Sequence, residues 1–257
     1  VNQVVKLVDL MKETSGVQLN KIGMGTPGVL DPILHTMKNC NSTALNGMPL
    51  QKDLQQKLGI PVILANDANC FALAETHWGI VKEKSAGARV VFGIIMGTGV
   101  GAGIVMNEHV WEGKHGIGGE WGHNFLDESG GPCYCGKTGC VETVISGPAT
   151  ERFYKHLTGE SVSLKEISKR YEEGEKNAKQ TIERLCHFFG KAVSVVVNLL
   201  DPDVIVVGGG VGNVDALYVD GRNALEKYIF NNRVDVQILR PSLGDSAGVF
   251  GAAALTV

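Results

Sequence analysis

Residues 90–106 read Val-Val-Phe-Gly-Ile-Ile-Met-Gly-Thr-Gly-Val-Gly-Ala-Gly-Ile-Val-Met. The apolar run Val90–Met96 predicts a buried strand, and Ile104–Met106 predicts a second strand after a glycine-rich turn. A dinucleotide-binding loop would lead into a helix, and a P-loop would carry a lysine after its glycines; this stretch does neither. Bare backbone N–H groups and a threonine hydroxyl can bind phosphate oxygens, although a simple tight turn is the alternative. The predicted phosphate contacts are Gly97, Thr98, Gly99, Val100, Gly101, Ala102 and Gly103.

Similar strands, each ending in small or polar residues, lie on both sides of this stretch. Residues 22–28 predict a strand that runs into a Gly-Thr turn, and residues 61–65 predict a strand that ends at Asn66 and Asp67. The apolar run 204–207 predicts another buried strand. It ends at three consecutive glycines, which we expect to contact the adenosine end of a nucleotide: Gly208, Gly209 and Gly210.

Helical periodicity alternates with these strands. The predicted helices are residues 1–12, 67–79, 181–200, 215–228 and 249–255. This order predicts an α/β protein of two lobes with a cleft between them. We expect a small first lobe at 1–86 and a larger second lobe at 87–245, with the C-terminal helix 246–257 packed on the first.

The composition narrows the class of partner. The chain has 257 residues, 44% of them hydrophobic, and a formal net charge of -3 without a long run of Lys or Arg. Nucleic acid and anionic membrane surfaces are therefore not expected partners. The sequence contains neither a long apolar span nor a basic-then-apolar start, so a cytoplasmic protein that binds small molecules is expected.

A cluster of cysteines predicts a metal site. Cys133, Cys135 and Cys140 lie within eight residues, with His123 shortly before them. Three thiolates and an imidazole form the tetrahedral set that zinc prefers, and four protein ligands leave no open position for water. We predict a structural Zn²⁺ ion; free thiols or one disulfide are the alternatives.

Carboxylates are the predicted reactive groups. Asp67 stands at a strand end, where an α/β cleft forms, and one such acid can take the proton from a hydroxyl during phosphoryl transfer. The alternative role for Asp67 is a helix N-cap. Glu120 and Glu142 flank the metal ligands, and paired carboxylates suit recognition of sugar hydroxyls. A glycosidase pair would explain neither the glycine turns nor the metal. Trp121 could stack on a sugar or belong to the core.

Five motifs together resemble the ROK family (repressors, ORFs, kinases) of sugar kinases over nearly the whole chain. They are Leu64-Ala-Asn-Asp-Ala-Asn-Cys, Gly97-Thr-Gly-Val-Gly-Ala-Gly, Gly119-Glu-Trp-Gly-His, Cys133-Tyr-Cys-Gly-Lys-Thr-Gly-Cys-Val-Glu and Asp201-Pro-Asp-Val-Ile-Val-Val-Gly-Gly-Gly. The resemblance implies a two-lobed actin-like, ribonuclease-H-like (ASKHA) fold, ATP with Mg²⁺, transfer of the γ-phosphate to a hexose, and a homodimer.

By position, the resemblance makes Asp67 the catalytic base. It places Asn66, Glu120, His123, Glu142, Gly28 and Asn41 in the sugar site, so that His123 serves both zinc and sugar. The segment 38–47 is most similar to the fructokinase branch, which implies fructose as the substrate and fructose 6-phosphate as the product. N-acetylglucosamine or glucose is the alternative substrate.

The start of the chain departs from the family pattern. Family members begin with strands and an Asp-x-Gly-Gly-Thr-Lys phosphate loop, whereas this chain begins inside the following helix, so both are absent from it. A sugar-sensing ROK repressor, which carries a DNA-binding module ahead of the sugar domain, is the alternative from another class. A sugar-binding fragment without activity is a third.

Overall fold

The computed structural model describes residues 1–257, and its central element is a five-stranded sheet with the strand order β7-β6-β5-β8-β9. The hairpin β5–β6 is antiparallel, while β5, β8 and β9 run parallel. β8 is buried along its whole length, as the continuous apolar run 204–207 predicts. The bounds of these strands are β5 Val90–Met96, β6 Val100–Met106, β7 His109–Val110, β8 Val204–Gly208 and β9 Gln237–Leu239.

Two smaller sheets lie in the first part of the chain. Strands β1 and β4 pair in parallel, and β2 and β3 form a short antiparallel pair. The parallel pair brings the end of β1 at Thr26 beside the end of β4 at Asn66. The strands are β1 Ile22–Thr26, β2 Val29–Leu30, β3 Met37–Lys38 and β4 Val62–Asn66.

Ten α-helices surround these sheets. They are α1 Asn2–Ser15, α2 Leu50–Leu58, α3 Asp67–His77, α4 Ile80–Lys84, α5 Val141–Ile145, α6 Gly147–Thr158, α7 Leu164–Glu172, α8 Lys176–Leu200, α9 Arg222–Glu226 and α10 Ala247–Ala254. The main apolar core lies between the five-stranded sheet and the helices α5 to α9. A second apolar cluster joins the other face of the sheet to α3 and α10.

Three elements differ most from their predicted bounds, whereas the ends of α1, α3 and α10 differ by up to three residues. β6 begins at Val100, not Ile104, because Val100–Gly103 pair with β5 and the turn shrinks to Gly97–Gly99. The helix α8 begins before Thr181, since the Glu175 side chain caps it at Lys176. The predicted helix 215–228 is interrupted by a π-helical turn at 217–221, which leaves α9 with five residues.

The C-terminal helix α10 packs on α3 and β1, both within the first 86 residues. Two glycines permit this approach: a Cβ atom on Gly251 would lie 1.7 Å from the Cys70 carbonyl oxygen, and one on Gly23 would lie 1.7 Å from the Ala252 oxygen. The lobe boundaries at 86 and 245 stay a prediction. None of the helices is both long enough and apolar enough to cross a lipid bilayer.

Candidate active site and metal site

A small cavity between the ends of β4, β5 and β6 brings most of the predicted site residues together. Its volume is 220 Å³, and we call it the small cavity. The predicted residues that line it are Gly28, Asn41, Asn66, Asp67, Gly97, Thr98, Gly99, Val100, Gly101, Ala102, Glu120, His123 and Glu142. The candidate base, the candidate phosphate turn and the candidate sugar contacts thus share one space.

The end of β4 presents Asp67 to this cavity. Asn66, not Asp67, caps α3: its Oδ1 atom accepts a hydrogen bond from the Asn69 N–H at 2.7 Å. The capping role considered for Asp67 is therefore wrong. Asp67 is the first residue of α3, is solvent-exposed, and accepts only the N–H of Ala68 through Oδ1, at 2.8 Å. Its other carboxylate oxygen is left for a partner in the cavity.

The glycine turn is held by one hydrogen bond within the turn, by one to α6, and by one from the start of β6 to α5. The Gly97 N–H donates to the Gly99 carbonyl, and the Gly97 carbonyl accepts from the Gly147 N–H, both at 2.9 Å. Glu142 Oε2 accepts the Val100 N–H at 3.0 Å. Glu142 therefore holds the start of β6 as well as lining the cavity, a contact that sequence reasoning missed.

Glu120 lies at the start of a 3-10 turn, Glu120–His123. Burial raises the pKa of the Glu120 carboxyl; His123 lowers it, and the charges of Asp67 and Glu142 raise it further. The carboxylates thus lie close enough to influence one another. A half-buried carboxylate of this kind can be stabilised by a hydroxyl donor from a bound ligand.

The metal cluster forms as the sequence pattern predicts. The ligand atoms of His123, Cys133, Cys135 and Cys140 all lie within 4.8 Å of one another. The Sγ atoms of Cys135 and Cys140 are 3.6 Å apart, and Cys133 Sγ lies 3.6 Å from His123 Nδ1. A tetrahedron with Zn–S of about 2.3 Å and Zn–N of about 2.05 Å needs roughly 3.8 Å and 3.5 Å for these edges. The residues present therefore fit a zinc ion, and a disulfide would need sulfurs at about 2.05 Å.

His123 and Tyr134 join the metal loop to the small cavity. His123 directs Nδ1 to the cysteines, and its Nε2 lies 3.0 Å from the Tyr134 hydroxyl. The two rings meet edge to face at 5.1 Å between centroids. Tyr134 also lines the cavity. Sequence reasoning missed this residue, although its position between two predicted metal ligands could have indicated a place near the site. Trp121 belongs to the core, 5% exposed and packed against Phe92.

A larger cavity of 1050 Å³ opens on the other side of the glycine turn. Gly97, Thr98 and Gly210 line it, together with the start of α6 and one face of α7. Two predicted nucleotide contacts, Gly103 and Gly208, line neither this cavity nor the small one, because each packs closely against α3. A Cβ atom on Gly103 would lie 2.5 Å from the Ala68 oxygen, and one on Gly208 would lie 2.7 Å from the Phe71 ring.

Gly209 also has a packing role, since a Cβ atom there would lie 2.3 Å from the Met96 oxygen. Of the three consecutive glycines, only Gly210 lines the large cavity. Sequence reasoning missed the α7 wall of that cavity, which includes Lys165 and Lys169. Surface lysines on an amphipathic helix carry no sequence signal that separates them from solvated charges.

An apolar groove of 940 Å³ continues from the small cavity towards α8. The two spaces share the wall formed by Asn39, Asn41, Gly119, Glu120, His123 and Tyr134. Asp67 and the glycine turn do not line the groove.

Comparison with known proteins places the chain in a family. The profile of the ROK family matches residues 1–257. The chain is 36% identical over 247 residues to an N-acetyl-D-glucosamine kinase of Vibrio atlanticus (strain LGP32), covering 92% of this chain and 80% of that protein. The chain therefore belongs to the ROK family, and the prediction of a ROK sugar kinase is confirmed.

Solved structures of the family have the same fold. The ROK hexokinase from Thermus thermophilus has a TM-score of 0.86 at 30% identity, over 98% of this chain and 84% of that one. A ROK family glucokinase from Streptomyces griseus, in complex with glucose and AMPPNP, has a TM-score of 0.78 at 27% identity, over 99% of this chain and 88% of that one. The predicted α/β actin-like fold is confirmed.

Proposed function

We propose that this protein transfers the γ-phosphoryl group of ATP to the 6-hydroxyl of N-acetyl-D-glucosamine. The observation that carries the proposal is the small cavity, where an exposed carboxylate, Asp67, faces a glycine turn that can hold phosphate oxygens. Relatives that cover most of the chain are N-acetyl-D-glucosamine kinases.

Asp67 takes the proton from the attacking sugar hydroxyl. Its Oδ1 is occupied by the Ala68 N–H, so Oδ2 is the oxygen that receives the proton. The N–H groups of the glycine turn and the Thr98 hydroxyl orient the transferred phosphate, since phosphoryl transfer depends mainly on positioning and charge stabilisation. When bound, Mg²⁺ neutralises charge on the phosphates. The large cavity beyond the turn receives the nucleoside part of ATP.

Glu120, Glu142 and His123 hold the sugar. Glu120 and Glu142 accept hydrogen bonds from ring hydroxyls. His123 Nε2, which lies 3.0 Å from the Tyr134 hydroxyl, offers the sugar a further hydrogen-bonding group. His123 Nδ1 and the thiolates of Cys133, Cys135 and Cys140 would hold a zinc ion, which would fix the position of His123 relative to the loop 133–140. Gly28 and Asn41 also line the small cavity.

Fructose, the first reading of segment 38–47, is the weaker substrate assignment. The relatives favour the N-acetylglucosamine alternative, and none of the proteins compared above is a fructokinase. A sugar-sensing repressor would need no acid at the position of Asp67, whereas this chain retains one beside the phosphate turn. The homodimer stays a prediction.

A hexose panel tests the proposal. ADP release would be measured with N-acetylglucosamine, glucose and fructose at equal concentrations. We expect the highest kcat/KM with N-acetylglucosamine, because a site built for an amide rejects sugars that leave its polar groups unpaired. A higher kcat/KM with fructose would return the assignment to the fructokinase branch. Sugar binding without ADP release would overturn the kinase proposal in favour of the repressor or the sugar-binding fragment without activity.

A further inference from the structure

The apolar groove beside the small cavity has no part in phosphoryl transfer as described above. Its volume of 940 Å³ exceeds the 220 Å³ of the small cavity, and its apolar lining consists of Phe92, Ile104, Ile117, Trp121, Val195, Val196, Leu199 and Leu200. Phe92 and Ile104 of the core line the groove, and α8 contributes Val195 and Leu199 to its lining. Such a space is suited to an apolar group rather than to a sugar ring, whose hydroxyls need polar partners.

The position of the groove relative to Asp67 decides what can enter it. The two spaces meet at Glu120, His123 and Tyr134, and Asp67 lines only the small cavity. In a pyranose, carbon 2 lies directly across the ring from carbon 5, which carries the reacting hydroxymethyl group. A sugar with its 6-hydroxyl at Asp67 therefore directs its carbon 2 substituent away from Asp67, towards the shared wall.

We propose that the apolar groove is a subsite for the N-acyl chain of 2-acylamido sugars and that it accepts acyl chains longer than acetyl. This inference rests on the proposed function. The amide of the substituent lies at the polar shared wall, where Asn39, Asn41 and Tyr134 offer hydrogen-bonding groups. The carbons beyond the amide lie against the apolar side chains of the groove, and nothing in the groove limits them to one methyl group.

The substrate test compares N-acetyl-, N-propanoyl- and N-butanoyl-glucosamine, with glucose as the sugar that lacks the substituent, by ADP release. Each methylene buried against an apolar wall contributes about 0.8 kcal/mol, or roughly fourfold in kcat/KM. The open groove buries each methylene only in part, so we expect kcat/KM to stay level or to rise up to about fourfold per carbon. A fall of more than tenfold from N-acetyl to N-butanoyl would overturn the proposal.

Variants of α8 locate the effect. Val195→Trp and Leu199→Trp place a large ring at exposed positions in the groove wall, which keeps the risk of misfolding low. We expect the N-butanoyl to N-acetyl ratio of kcat/KM to fall at least tenfold in one or both. Gln180→Trp, also exposed on α8 but outside the groove, is the matched control and should keep the wild-type ratio. An unchanged ratio in both groove variants would contradict the proposal.

Failure of the proposed function gives a different result. If glucose or fructose is phosphorylated and no 2-acylamido sugar is, the substrate assignment and the subsite fall together. If N-acetylglucosamine is phosphorylated but the longer compounds are not, the proposed function stands and only the subsite is overturned.

Discussion

Glu142 has two contacts whose loss can be separated. It lines the small cavity, and its Oε2 accepts the Val100 N–H at 3.0 Å, which ties the glycine turn to α5. A residue that contacted only the sugar would change only the KM for sugar, whereas one that also holds the proposed phosphate turn would change the KM for ATP as well. The position therefore couples the two halves of the site.

Glu142→Ala is expected to raise KM for both ATP and sugar. Loss of a hydrogen bond to a charged group costs about 1.5–3 kcal/mol, or roughly 10- to 100-fold. Glu142→Gln is the matched control: it keeps an acceptor for Val100, so its KM for ATP should stay near that of the wild type while the KM for sugar rises. Steady-state kinetics on both substrates would measure this. An unchanged KM for ATP in Glu142→Ala would show that the hydrogen bond between Val100 and Glu142 does not contribute to ATP binding.

At the scale of elements, the metal loop, residues 133–140, is held in place by backbone hydrogen bonds, among them that from the Leu126 N–H to the Gly139 carbonyl at 2.7 Å. Cys133 and Cys140 are buried, while Cys135 and Tyr134 are exposed, so the loop has little apolar core of its own. A bound metal commonly supplies the folding energy of such loops. His123, the fourth predicted ligand, lies outside this loop and lines the small cavity, so we expect metal affinity and sugar affinity to be linked.

Cys140→Ser is expected to lose stoichiometric zinc and to weaken sugar affinity roughly 10- to 100-fold, the range typical for changes around a metal site. Metal content would be measured by elemental analysis and sugar affinity by calorimetry. Cys186→Ala, a buried thiol outside the cluster, is the control and should retain the metal. Full sugar affinity in metal-free protein would contradict the linkage.

The start of α8 depends on one carboxylate. Glu175 accepts hydrogen bonds from the N–H groups of Asn177 and Ala178 at 2.9 Å and from the Tyr154 hydroxyl at 3.0 Å. Burial raises the pKa of Glu175, but these hydrogen bonds and the charge of Arg170 outweigh it, so the pKa lies below its ordinary value. The charged form is thus favoured in the folded state.

Wild-type protein is expected to be more stable than Glu175→Gln, by about 1 kcal/mol, the usual value of a helix cap. Because the folded pKa is lowered, this difference is full above the unfolded pKa of about 4.3 and is lost as pH falls through the folded pKa. Urea unfolding from pH 3 to 7 would measure it, with the exposed Glu172→Gln as control. A difference that does not shrink at all as the pH falls from 7 to 3 would contradict the assignment.

At the scale of the whole molecule, the last helix, α10, packs against α3 and β1 from the first third of the chain. Gly251 of α10 contacts the backbone of Cys70 so closely that a Cβ atom would lie 1.7 Å from its carbonyl oxygen. Glu75 of α3 adds a second connection, since its carboxylate accepts the N–H groups of Ser242 and Leu243 at 3.1 Å. This packing therefore joins the first strands of the chain to its last helix.

Gly251→Ala should lower the free energy of unfolding by at least about 2 kcal/mol, because overpacking against backbone cannot be relieved by a side-chain rotation. Gly248→Ala lies on the same helix with open space around it and should be neutral or more stable by up to about 1 kcal/mol. Denaturant unfolding of both variants would measure the contrast. Equal free energies of unfolding for the two variants would contradict the close packing of α10 against α3.

The sequence predicted those parts of the fold that local patterns determine. β5, β8 and α3 follow from apolar runs and periodicity, and the metal ligands follow from their spacing. Residues 100–103 were assigned to a turn because glycine is unfavourable in strands. Pairing with β5 overrides that preference, and no local pattern reports such pairing.

The missed site contacts have the same cause. The Glu142 tie spans 42 residues, and Tyr134 meets His123 only because the metal loop folds back on itself. Gly103 and Gly208 were assigned to a ligand, whereas the structure uses them for close packing of α3 against the sheet. A glycine permits both roles, and only the three-dimensional arrangement distinguishes them.

The most direct measurement is the turnover of Asp67→Asn with sugar binding measured beside it. General-base catalysis contributes about 10²- to 10⁴-fold, so kcat should fall by that factor. Calorimetry should give a sugar affinity within a few fold of the wild type, because an amide keeps the size and an acceptor. Asp9→Asn, exposed on α1, is the control. Full turnover of Asp67→Asn would contradict the assignment of Asp67 as the base and, with it, this account of phosphoryl transfer.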